Sequence, residues 1–414
     1  MEDAIIINGG KRLNGEVYIS GAKNATVALI PATCMADGVV TIFDVPNISD
    51  VEALVTLLRE LNIDVIEKKN HLIIDTGAIK NVTLDHEAVG KLRASYYFMG
   101  ALLGRYKYVK IRMSGGCYLG PRPINLHLKG FEALGAKVDY DDGYYEISAK
   151  ELIGTNIYLD FASVGATINI MMAAVFAKGR TVIENAAKEP EIIDLSTMLN
   201  KMGAKIRGAG TSEIVIDGVE HLGGCTHEII PDRIEAGTYI IMAAAMAEKV
   251  KVKNVIPQHL ESMLLKLSEM GVKMDIGLDE VVIYRSDQLN GVEVKTLPFP
   301  GFATDLQQPI SALMTQAFGV SRIKDTIYPE RYKHLHELSL MGAETSYDDG
   351  VISISGPTSL TGATVTATDL RCGACLVIAG LIAEGTTIIK DAYHIYRGYD
   401  GIKEKLLKLG ADVK

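Results

Sequence analysis

A helix-ending phrase recurs six times along the chain, and its regular spacing constrains the fold more than any other feature. Its turn position holds Gly, or in one case Asn, at residues 62, 135, 203, 271, 342 and 410 of 414. Helices commonly end in a left-handed residue, a conformation that Gly adopts at little cost and Asn adopts more readily than most residues. Self-similarity at a fixed period is typical of repeat architectures, so we expect six units of about 69 residues each.

Each turn is followed by a pattern that predicts two strands. Alternating apolar residues at 137–140 and 144–148 flank an Asp-Gly pair at 142–143, the strongest short-range signal for a hairpin. An Asp-Gly pair recurs at 349–350. A Leu-x-Gly phrase, as in Leu289-Asn290-Gly291, then leads into a further strand.

Each unit also contains one strongly apolar helix. We expect these helices to begin near Asn24, Arg93, Ser163, Arg233, Asp305 and Arg371. A helix that is apolar on nearly all sides must be buried. The predicted fold class is therefore α/β, with two inside-out α/β barrel domains of three repeated β-α-β units each, six repeats in total.

The sixth unit reaches its glycine four residues before Lys414 and lacks the strands that follow this turn elsewhere. Residues 5–19, which include Leu13-Asn14-Gly15, resemble the missing hairpin. We therefore expect an N-terminal hairpin to complete the sixth unit. The predicted domains are residues 1–22 with 230–414, and residues 23–229, which carry the loop around Cys117.

Composition restricts the partners. The formal charge is −9 and no basic run is present, which disfavours nucleic-acid binding. No apolar stretch approaches the ~20 residues of a spanning helix, and Met1-Glu2-Asp3 does not open a signal peptide, so we expect a cytoplasmic protein without a membrane partner. Five cysteines are too few, and odd in number, for a disulfide framework, so we expect reduced thiols.

Polar residues collect where the apolar helices begin. Helix N-termini carry unpaired amides and a partial positive charge, and therefore bind phosphate and carboxylate groups. A single arginine at such a place is often a solvated charge or a cap, but recurrence at equivalent positions favours an anion-binding cleft between the two domains. The residues of these positions are Lys23, Asn24, Arg93, Ser163, Gly165, Arg233, Asp305 and Arg371, with Cys117, Arg122, Arg331 and Arg397 in loops before outer helices.

Other motifs are absent or weak. Neither a G-x-G-x-x-G fingerprint before a helix nor a Walker A sequence occurs, so nucleotide redox chemistry and P-loop hydrolysis are unsupported. Cys372-Gly373-Ala374-Cys375 has no second pair and lies in an apolar helix, which indicates core thiols, and His334 and His336 are interpreted as packing or surface residues. Cys117 lies in a glycine-containing loop beside Arg122, where a chemical role and a structural role are both open.

Phrases along the whole chain resemble one enzyme family, the UDP-N-acetylglucosamine 1-carboxyvinyltransferases. They include GAKNA (21–25), GGCYLGPRPINLH (115–127), PDRIEAGT (231–238) and YHIYRGY (393–399). The resemblance implies two inside-out α/β domains. It also implies transfer of the enolpyruvyl group of phosphoenolpyruvate (PEP) to the 3′-hydroxyl of UDP-N-acetylglucosamine by addition and elimination, the first committed step of peptidoglycan synthesis. We expect no metal and no cofactor, since arginines can neutralise PEP.

The resemblance also implies roles for single residues. Cys117 matches the cysteine that protonates C3 of PEP, forms a covalent adduct and is alkylated by the antibiotic fosfomycin, and Asp305 matches the residue that receives or orients the proton of the sugar 3′-hydroxyl. Lys23, Arg122 and Arg397 match the clamp on PEP. The matching contacts to the UDP-sugar are Arg93, Arg122, Pro123, Ile124, Asn125, Leu126, Ser163, Val164, Gly165 and Ile327. Arg331 and Arg371 match the same cleft, with Asn24 near the reacting atoms.

Three departures and three alternatives complete the sequence analysis. Phe161 stands where some members have Lys, Asn125 where Asp is usual, and Pro329-Glu330 where Glu-Asn is expected, which fits a second paralogue. A 3-phosphoshikimate 1-carboxyvinyltransferase shares the fold but lacks the cysteine loop. A catalytically silent UDP-sugar sensor is the second alternative. Nucleic-acid end processing on a related repeat fold is the third, and the acidic charge disfavours it.

Overall fold

The computed structural model describes residues 3–112 and 124–414. The chain divides into two compact units, one formed by Met1–Ser20 with Pro231–Lys414 and the other by Gly21–Ile230. Each unit has its own apolar core. We refer to them as the terminal unit, which holds both chain ends, and the central unit.

The six repeated turns all have a left-handed backbone, as the sequence pattern predicts. Asn62 has a φ of 59°, and the glycines at 135, 203, 271, 342 and 410 have φ values between 88° and 115°. Only a few residue types other than Gly adopt this region without a large steric cost, and Asn is one of them. The backbone geometry thus explains why Asn62 replaces Gly in the first unit.

Each unit surrounds three buried inner helices with outer helices. The inner helices are Lys23–Ala32, Tyr97–Tyr106 and Val164–Ala174 in the central unit, and Arg233–Met246, Gln307–Met314 and Leu370–Ile382 in the terminal unit. The outer helices are Ser49–Glu60, Asn125–Ala133, Pro190–Met202, Glu261–Met270, His334–Leu340 and Ile402–Lys408. Shorter helices are Glu87–Lys91 and Tyr393–Tyr396, with 3-10 turns at Thr33–Met35, Arg93–Tyr96, Pro257–Leu260 and Thr304–Leu306. None of the helices in the described ranges has the length and apolar character that crossing a membrane requires.

The described residues form six small sheets, three per unit. In spatial order, those of the central unit are Gly223–Glu228, Asp37–Phe43, His71–Asp75 and Asp64–Lys68; Tyr108–Arg112, Tyr144–Ser148 and Lys137–Asp141; and Lys205–Arg207, Glu213–Asp217, Arg180–Glu184 and Asn156–Tyr158. Those of the terminal unit are Met274–Ile276, Glu280–Tyr284, Ala247–Lys253 and Leu13–Tyr18; Glu293–Thr296, Gly319–Asp325, Val351–Gly356 and Glu344–Asp348; and Thr364–Thr366, Thr386–Lys390, Ala4–Asn8 and Asp412–Val413.

One parallel pairing in each unit links the last repeat to the first. Gly223–Glu228, at the end of the central unit, pairs in parallel with Asp37–Phe43 at its start. In the terminal unit Leu13–Tyr18 pairs in parallel with Ala247–Lys253. Because the last repeat pairs with the first in this way, each ring of sheets closes around the apolar inner helices.

The expected N-terminal hairpin is wrong. Ala4–Asn8 pairs antiparallel with Thr386–Lys390 and Asp412–Val413, whereas Leu13–Tyr18 lies in a different sheet. The Leu-x-Gly phrase explains why the two N-terminal strands lie in different sheets. Glu293–Thr296 follows the same phrase, and it also pairs in parallel with a strand of the next repeat, Gly319–Asp325. Leu13-Asn14-Gly15 is a copy of that crossing phrase and not the second half of a hairpin.

The cysteine pair of the sixth unit is part of the core. Cys372 and Cys375 are free thiols on the inner helix Leu370–Ile382 and are both fully buried. Burial raises the pKa of Cys372 to about 12. The interpretation of this motif as core thiols is therefore confirmed.

Candidate active site

In the terminal unit, the carboxylate of Asp305 lies between two arginines. Its Oδ1 accepts a hydrogen bond from Arg331 Nη1 at 3.0 Å, and its Oδ2 accepts one from Arg371 Nη2 at 2.9 Å. Both arginines are buried, with 4% and 6% of their surface exposed. Burial opposes ionisation of Asp305, but the two guanidinium charges outweigh it and hold the pKa of this carboxyl well below its usual range. Asp305 is therefore ionised at neutral pH with both oxygens engaged.

The starts of two inner helices bring this cluster together. Asp305 lies in the 3-10 turn Thr304–Leu306, directly before Gln307–Met314. Arg371 lies in the first turn of Leu370–Ile382, where Asp369 caps the helix by accepting from the backbone N–H of Arg371 at 2.8 Å. Such carboxylate caps are favoured at helix N-termini. The repeated architecture thus places residues that are 66 positions apart within hydrogen-bond distance.

A second carboxylate, Asp325, supports the arginine cluster through hydrogen bonds to neighbouring residues. It accepts hydrogen bonds from Thr296 Oγ1 at 2.6 Å, Thr304 Oγ1 at 2.7 Å and the backbone N–H of Ile327 at 2.9 Å. Thr304 Oγ1 in turn accepts from Arg331 Nη1 at 3.0 Å. Sequence reasoning did not identify Asp325, although its contacts position both Arg331 and Ile327.

Thr304→Val is expected to lower kcat about tenfold, because Arg331 loses an acceptor that holds it against Asp305. Thr304→Ser restores the hydroxyl and should restore the rate. The matched control is Thr296→Val, which also removes a hydroxyl donor to Asp325. Both valine variants should lose about 1–2 kcal/mol of stability in urea unfolding, and equal kcat values for the two would contradict the positioning of Arg331 by Thr304.

Two further predicted cations, Arg397 and Arg233, belong to the same unit. Arg397 ends the short helix Tyr393–Tyr396, and its charge adds to burial in lowering the pKa of His394. The segment is joined to the cluster by Tyr399, whose hydroxyl accepts from Arg371 Nη1 at 3.3 Å. The guanidinium of Arg233 lies 5.6 Å from the centre of the Phe299 ring.

In the central unit, Lys23 is held by an ion pair. Its Nζ lies 2.9 Å from Asp50 Oδ2, and the two side chains are 16% and 5% exposed. Lys23 opens the inner helix Lys23–Ala32, and Asp50 lies in the first turn of the outer helix Ser49–Glu60. Asn24 follows Lys23 and is partly exposed. The pair therefore presents a fixed cation at a helix N-terminus.

The turn Ser163-Val164-Gly165 is the second candidate site of the central unit. Ser163 caps the inner helix Val164–Ala174 by accepting from the backbone N–H of Ala166 at 3.3 Å. Gly165 packs closely, since an added Cβ would lie 2.9 Å from both His127 Cε1 and Tyr96 Oη. Ile124, Asn125 and Leu126 begin the outer helix that carries His127, and Arg93 lies 5.9 Å from the centre of the Tyr96 ring.

Tyr96 and His127 therefore link three groups of predicted site residues: Arg93, the helix start at residues 124–126 and the turn at residues 163–165. Neither was identified from the sequence, although His127 closes the phrase at 115–127 that carries the family resemblance and could have been found there. Phe161 is exposed, and Pro329 accepts a hydrogen bond through its carbonyl from Tyr347. The predicted site residues Cys117, Arg122 and Pro123 lie outside the described residues.

Gly165→Ala is expected to raise the KM for the nucleotide sugar that the sequence resemblance implies about 10- to 100-fold, because the new methyl forces the turn away from His127 and Tyr96. The KM for PEP, the other substrate that the resemblance implies, should change little. Gly90→Ala is the matched control, since an added Cβ there meets no atom within 4 Å. A normal KM in Gly165→Ala, measured by steady-state phosphate release, would remove this turn from the proposed substrate site.

Comparisons with known proteins agree with this architecture. Residues 7–406 match the EPSP synthase (3-phosphoshikimate 1-carboxyvinyltransferase) family. UDP-N-acetylglucosamine 1-carboxyvinyltransferase 2 of Listeria monocytogenes is 55% identical over 413 residues, covering 100% of this chain and 98% of that protein. The crystal structure of the enolpyruvyl transferase NikO from Streptomyces tendae matches with a TM-score of 0.90 and 28% identity, covering 100% of this chain and 98% of NikO.

A more distant structure shows the fold alone. EPSP synthase from Acinetobacter baumannii matches with a TM-score of 0.75 and 18% identity, covering 99% of each chain. The predicted fold class, two inside-out α/β domains, is therefore confirmed. From its full-length identity to the Listeria protein, the chain belongs to the UDP-N-acetylglucosamine 1-carboxyvinyltransferases, within the enolpyruvyl transferases.

Proposed function

We propose that this protein transfers the enolpyruvyl group of PEP to the 3′-hydroxyl of UDP-N-acetylglucosamine and releases phosphate, the first committed step of peptidoglycan synthesis. The observation that carries the proposal is the carboxylate of Asp305 held between Arg331 and Arg371 at the start of two inner helices. This arrangement supplies a proton acceptor beside two permanent cations. Full-length identity of 55% to the Listeria enzyme supports the choice of substrates.

Fixed cations suit the two anionic groups of PEP. Guanidinium groups keep their charge at any physiological pH and bind carboxylate or phosphate through two parallel hydrogen bonds. Lys23, Arg122 and Arg397 are the proposed clamp on PEP, and Asn24 is proposed to lie near the reacting atoms. Because these charges can neutralise PEP, the reaction is proposed to need no metal and no cofactor.

Proton acceptance by Asp305 is coupled to PEP binding in this proposal. With Arg331 and Arg371 both paired to it, the carboxylate has a strongly lowered pKa and is a weak base. When an anion of PEP takes hydrogen bonds from either arginine, less positive charge faces Asp305 and its pKa rises. Asp305 therefore becomes able to accept the hydroxyl proton only once PEP is bound.

Cys117 is the proposed acid. Its thiol gives a proton to C3 of PEP while the sugar oxygen bonds to C2; removal of a proton from C3 then re-forms the double bond as the C2–O bond to phosphate breaks. The thiolate of Cys117 is also proposed to open the epoxide of fosfomycin, which leaves a covalent adduct. These roles rest on the sequence phrase at 115–127.

We propose that the residues around Tyr96 and His127 bind the UDP-sugar. The contacts to it that the sequence resemblance implies are Arg93, Arg122, Pro123, Ile124, Asn125, Leu126, Ser163, Val164, Gly165 and Ile327. We also propose that the protein acts in the cytoplasm, without a nucleic-acid or membrane partner. The free thiols among the described cysteines, Cys34, Cys225, Cys372 and Cys375, support a reducing compartment.

Phosphate release from PEP tests this function when two acceptors are compared. UDP-N-acetylglucosamine should support release, and shikimate 3-phosphate should not. The reverse result would assign the protein to 3-phosphoshikimate chemistry. Binding of UDP-N-acetylglucosamine without release from PEP would assign it to the silent sensor class.

A further inference from the structure

The side chain of Asn169 is fully buried in the middle of the inner helix Val164–Ala174, yet both ends of its amide are engaged. Its Oδ1 accepts from the backbone N–H of Gly100 at 2.8 Å. Its Nδ2 lies 2.8 Å from Nδ1 of His127 on the neighbouring outer helix. Gly100 allows this approach, because an added Cβ would lie 2.6 Å from Asn169 Oδ1.

These two contacts determine which nitrogen of His127 carries the proton. A backbone N–H only donates, so the amide oxygen of Asn169 must face Gly100 and the amide nitrogen must face His127. That nitrogen also only donates, so Nδ1 of His127 must accept and is unprotonated. Burial, and then the charge of Arg93, lowers the pKa of His127 to about 3. The ring is therefore neutral at physiological pH and its proton is on Nε2.

The protonated edge of the ring faces the turn that opens the helix. An added Cβ on Gly165 would lie 3.1 Å from His127 Nε2 and 2.9 Å from Cε1. His127 is 5% exposed, and the Tyr96 ring packs edge-on against it at 4.9 Å between centroids. Nε2 makes no hydrogen bond to any residue that the structure describes. The Nε2–H of a buried histidine is therefore directed at the N-terminus of an 11-residue helix.

We propose that Asn169 is a positioning residue that holds His127 with its Nε2–H presented at the Ser163–Gly165 turn, as a donor to a diphosphate oxygen of the nucleotide sugar. The positive end of the helix dipole favours a phosphate oxygen as the acceptor at this place. Because the ring stays neutral and Nδ1 stays an acceptor, the charge of this donor does not change across the physiological pH range, whereas an imidazole that titrates near pH 6.5 becomes positively charged below that pH. The ligand in this proposal rests on the proposed function, whereas the tautomer does not.

The tautomer is measurable without substrate. In the full-length chain labelled with ¹⁵N-histidine, long-range ¹H–¹⁵N correlation spectra distinguish the two neutral tautomers and the cation, and His127→Gln identifies the signals. We expect the Nε2-protonated form in the wild type, unchanged between about pH 6 and pH 8.5. A wild-type ring protonated on Nδ1 would overturn the proposal.

Asn169→Asp is expected to reverse the direction of the hydrogen bond between residue 169 and Nδ1 of His127. One carboxylate oxygen can still accept from Gly100, while the other can only accept from Nδ1, so Nδ1 gains the proton and the neutral ring presents a bare Nε2. The charged and titratable groups facing the ring among the described residues are Arg93 and Tyr96. The KM for UDP-N-acetylglucosamine should rise about tenfold near pH 8.5, and less near pH 6, where the ring also gains a proton on Nε2. The kcat should stay within about twofold, as expected for loss of uniform substrate binding.

Asn169→Leu is the second test variant, to be used if the buried carboxylate of Asn169→Asp prevents folding. It keeps the shape but removes the donor to Nδ1, so both neutral tautomers should be populated. Thr167→Val is the matched control, since Thr167 is an equally buried polar residue of the same helix whose Oγ1 accepts from Ala187 N–H at 3.1 Å. It should leave both the tautomer and the KM unchanged.

A double-mutant cycle separates positioning from general damage to the helix. In a His127→Gln background, Asn169→Asp should add little to the KM, because the group it acts through is gone. An equal KM defect in both backgrounds, or an unchanged tautomer in Asn169→Asp, would overturn the proposal. If the tautomer reverses but UDP-N-acetylglucosamine supports no phosphate release, the proposed function fails while the positioning by Asn169 stands.

Discussion

Asp305→Asn is expected to lower kcat about 10²- to 10⁴-fold, the range found when a general acid or base is removed. The amide keeps the shape of the carboxylate but cannot accept the proton of the sugar hydroxyl. Binding should be affected less than turnover, because Arg331 and Arg371 remain. Steady-state phosphate release with both substrates varied in turn measures kcat and the two KM values.

The same substitution should also destabilise the terminal unit. It removes the counter-charge of Arg331 and Arg371, which are both buried, and breaking a buried ion pair costs about 3–5 kcal/mol. Glu235→Gln is the control, because Glu235 is a buried carboxylate of the same unit that pairs with Lys405. The control should lose stability in urea unfolding and keep its kcat. A kcat for Asp305→Asn within tenfold of the wild type would contradict the base assignment.

Cys117→Ala is expected to lower the rate of phosphate release about 10²- to 10⁴-fold, the contribution of a general acid. The methyl group of alanine has no proton to give to C3 of PEP, so the attack at C2 lacks its acid. Binding of UDP-N-acetylglucosamine, measured by calorimetry, should be retained. Turnover at the wild-type rate would show that Cys117 is not the acid.

Cys117→Asp separates acid catalysis from covalent catalysis at this position. A carboxylic acid can give a proton but does not form the thioether that fosfomycin leaves on a thiol. Mass spectrometry of the wild-type peptide that contains Cys117 should show one added fosfomycin, and the aspartate variant should show none while it still releases phosphate. An inactive aspartate variant would favour an obligatory covalent adduct.

The repeated turns and the inner helices could be predicted because they depend on local properties of the chain. Asn62 and the five glycines share a left-handed backbone, and the apolar helix Val164–Ala174 begins one residue after the predicted Ser163. The pairing of Leu13–Tyr18 could not be predicted, because its sheet partner Ala247–Lys253 is distant in sequence. An alternating strand pattern does not specify its partner.

The site was only partly predictable for a related reason. The helix-start pattern identifies Asp305 and Arg371, but their contact depends on two helices 66 residues apart in sequence. Asn169 reads as one polar residue within an apolar helix, and only the approach of Gly100 and His127 gives it a role. Asp325 is missed because an aspartate at the end of a strand is also typical of an ordinary turn.

The central claim is that a proton is added to C3 of PEP and one is later removed while the enolpyruvyl group moves to the sugar. Incubation of the protein with PEP and UDP-N-acetylglucosamine in D₂O, followed by mass spectrometry of the nucleotide sugar, tests this claim most directly. The account predicts a nucleotide sugar that has gained one enolpyruvyl group, with deuterium at its vinyl carbon. An enolpyruvyl product without deuterium, or a nucleotide sugar recovered unchanged, would contradict it.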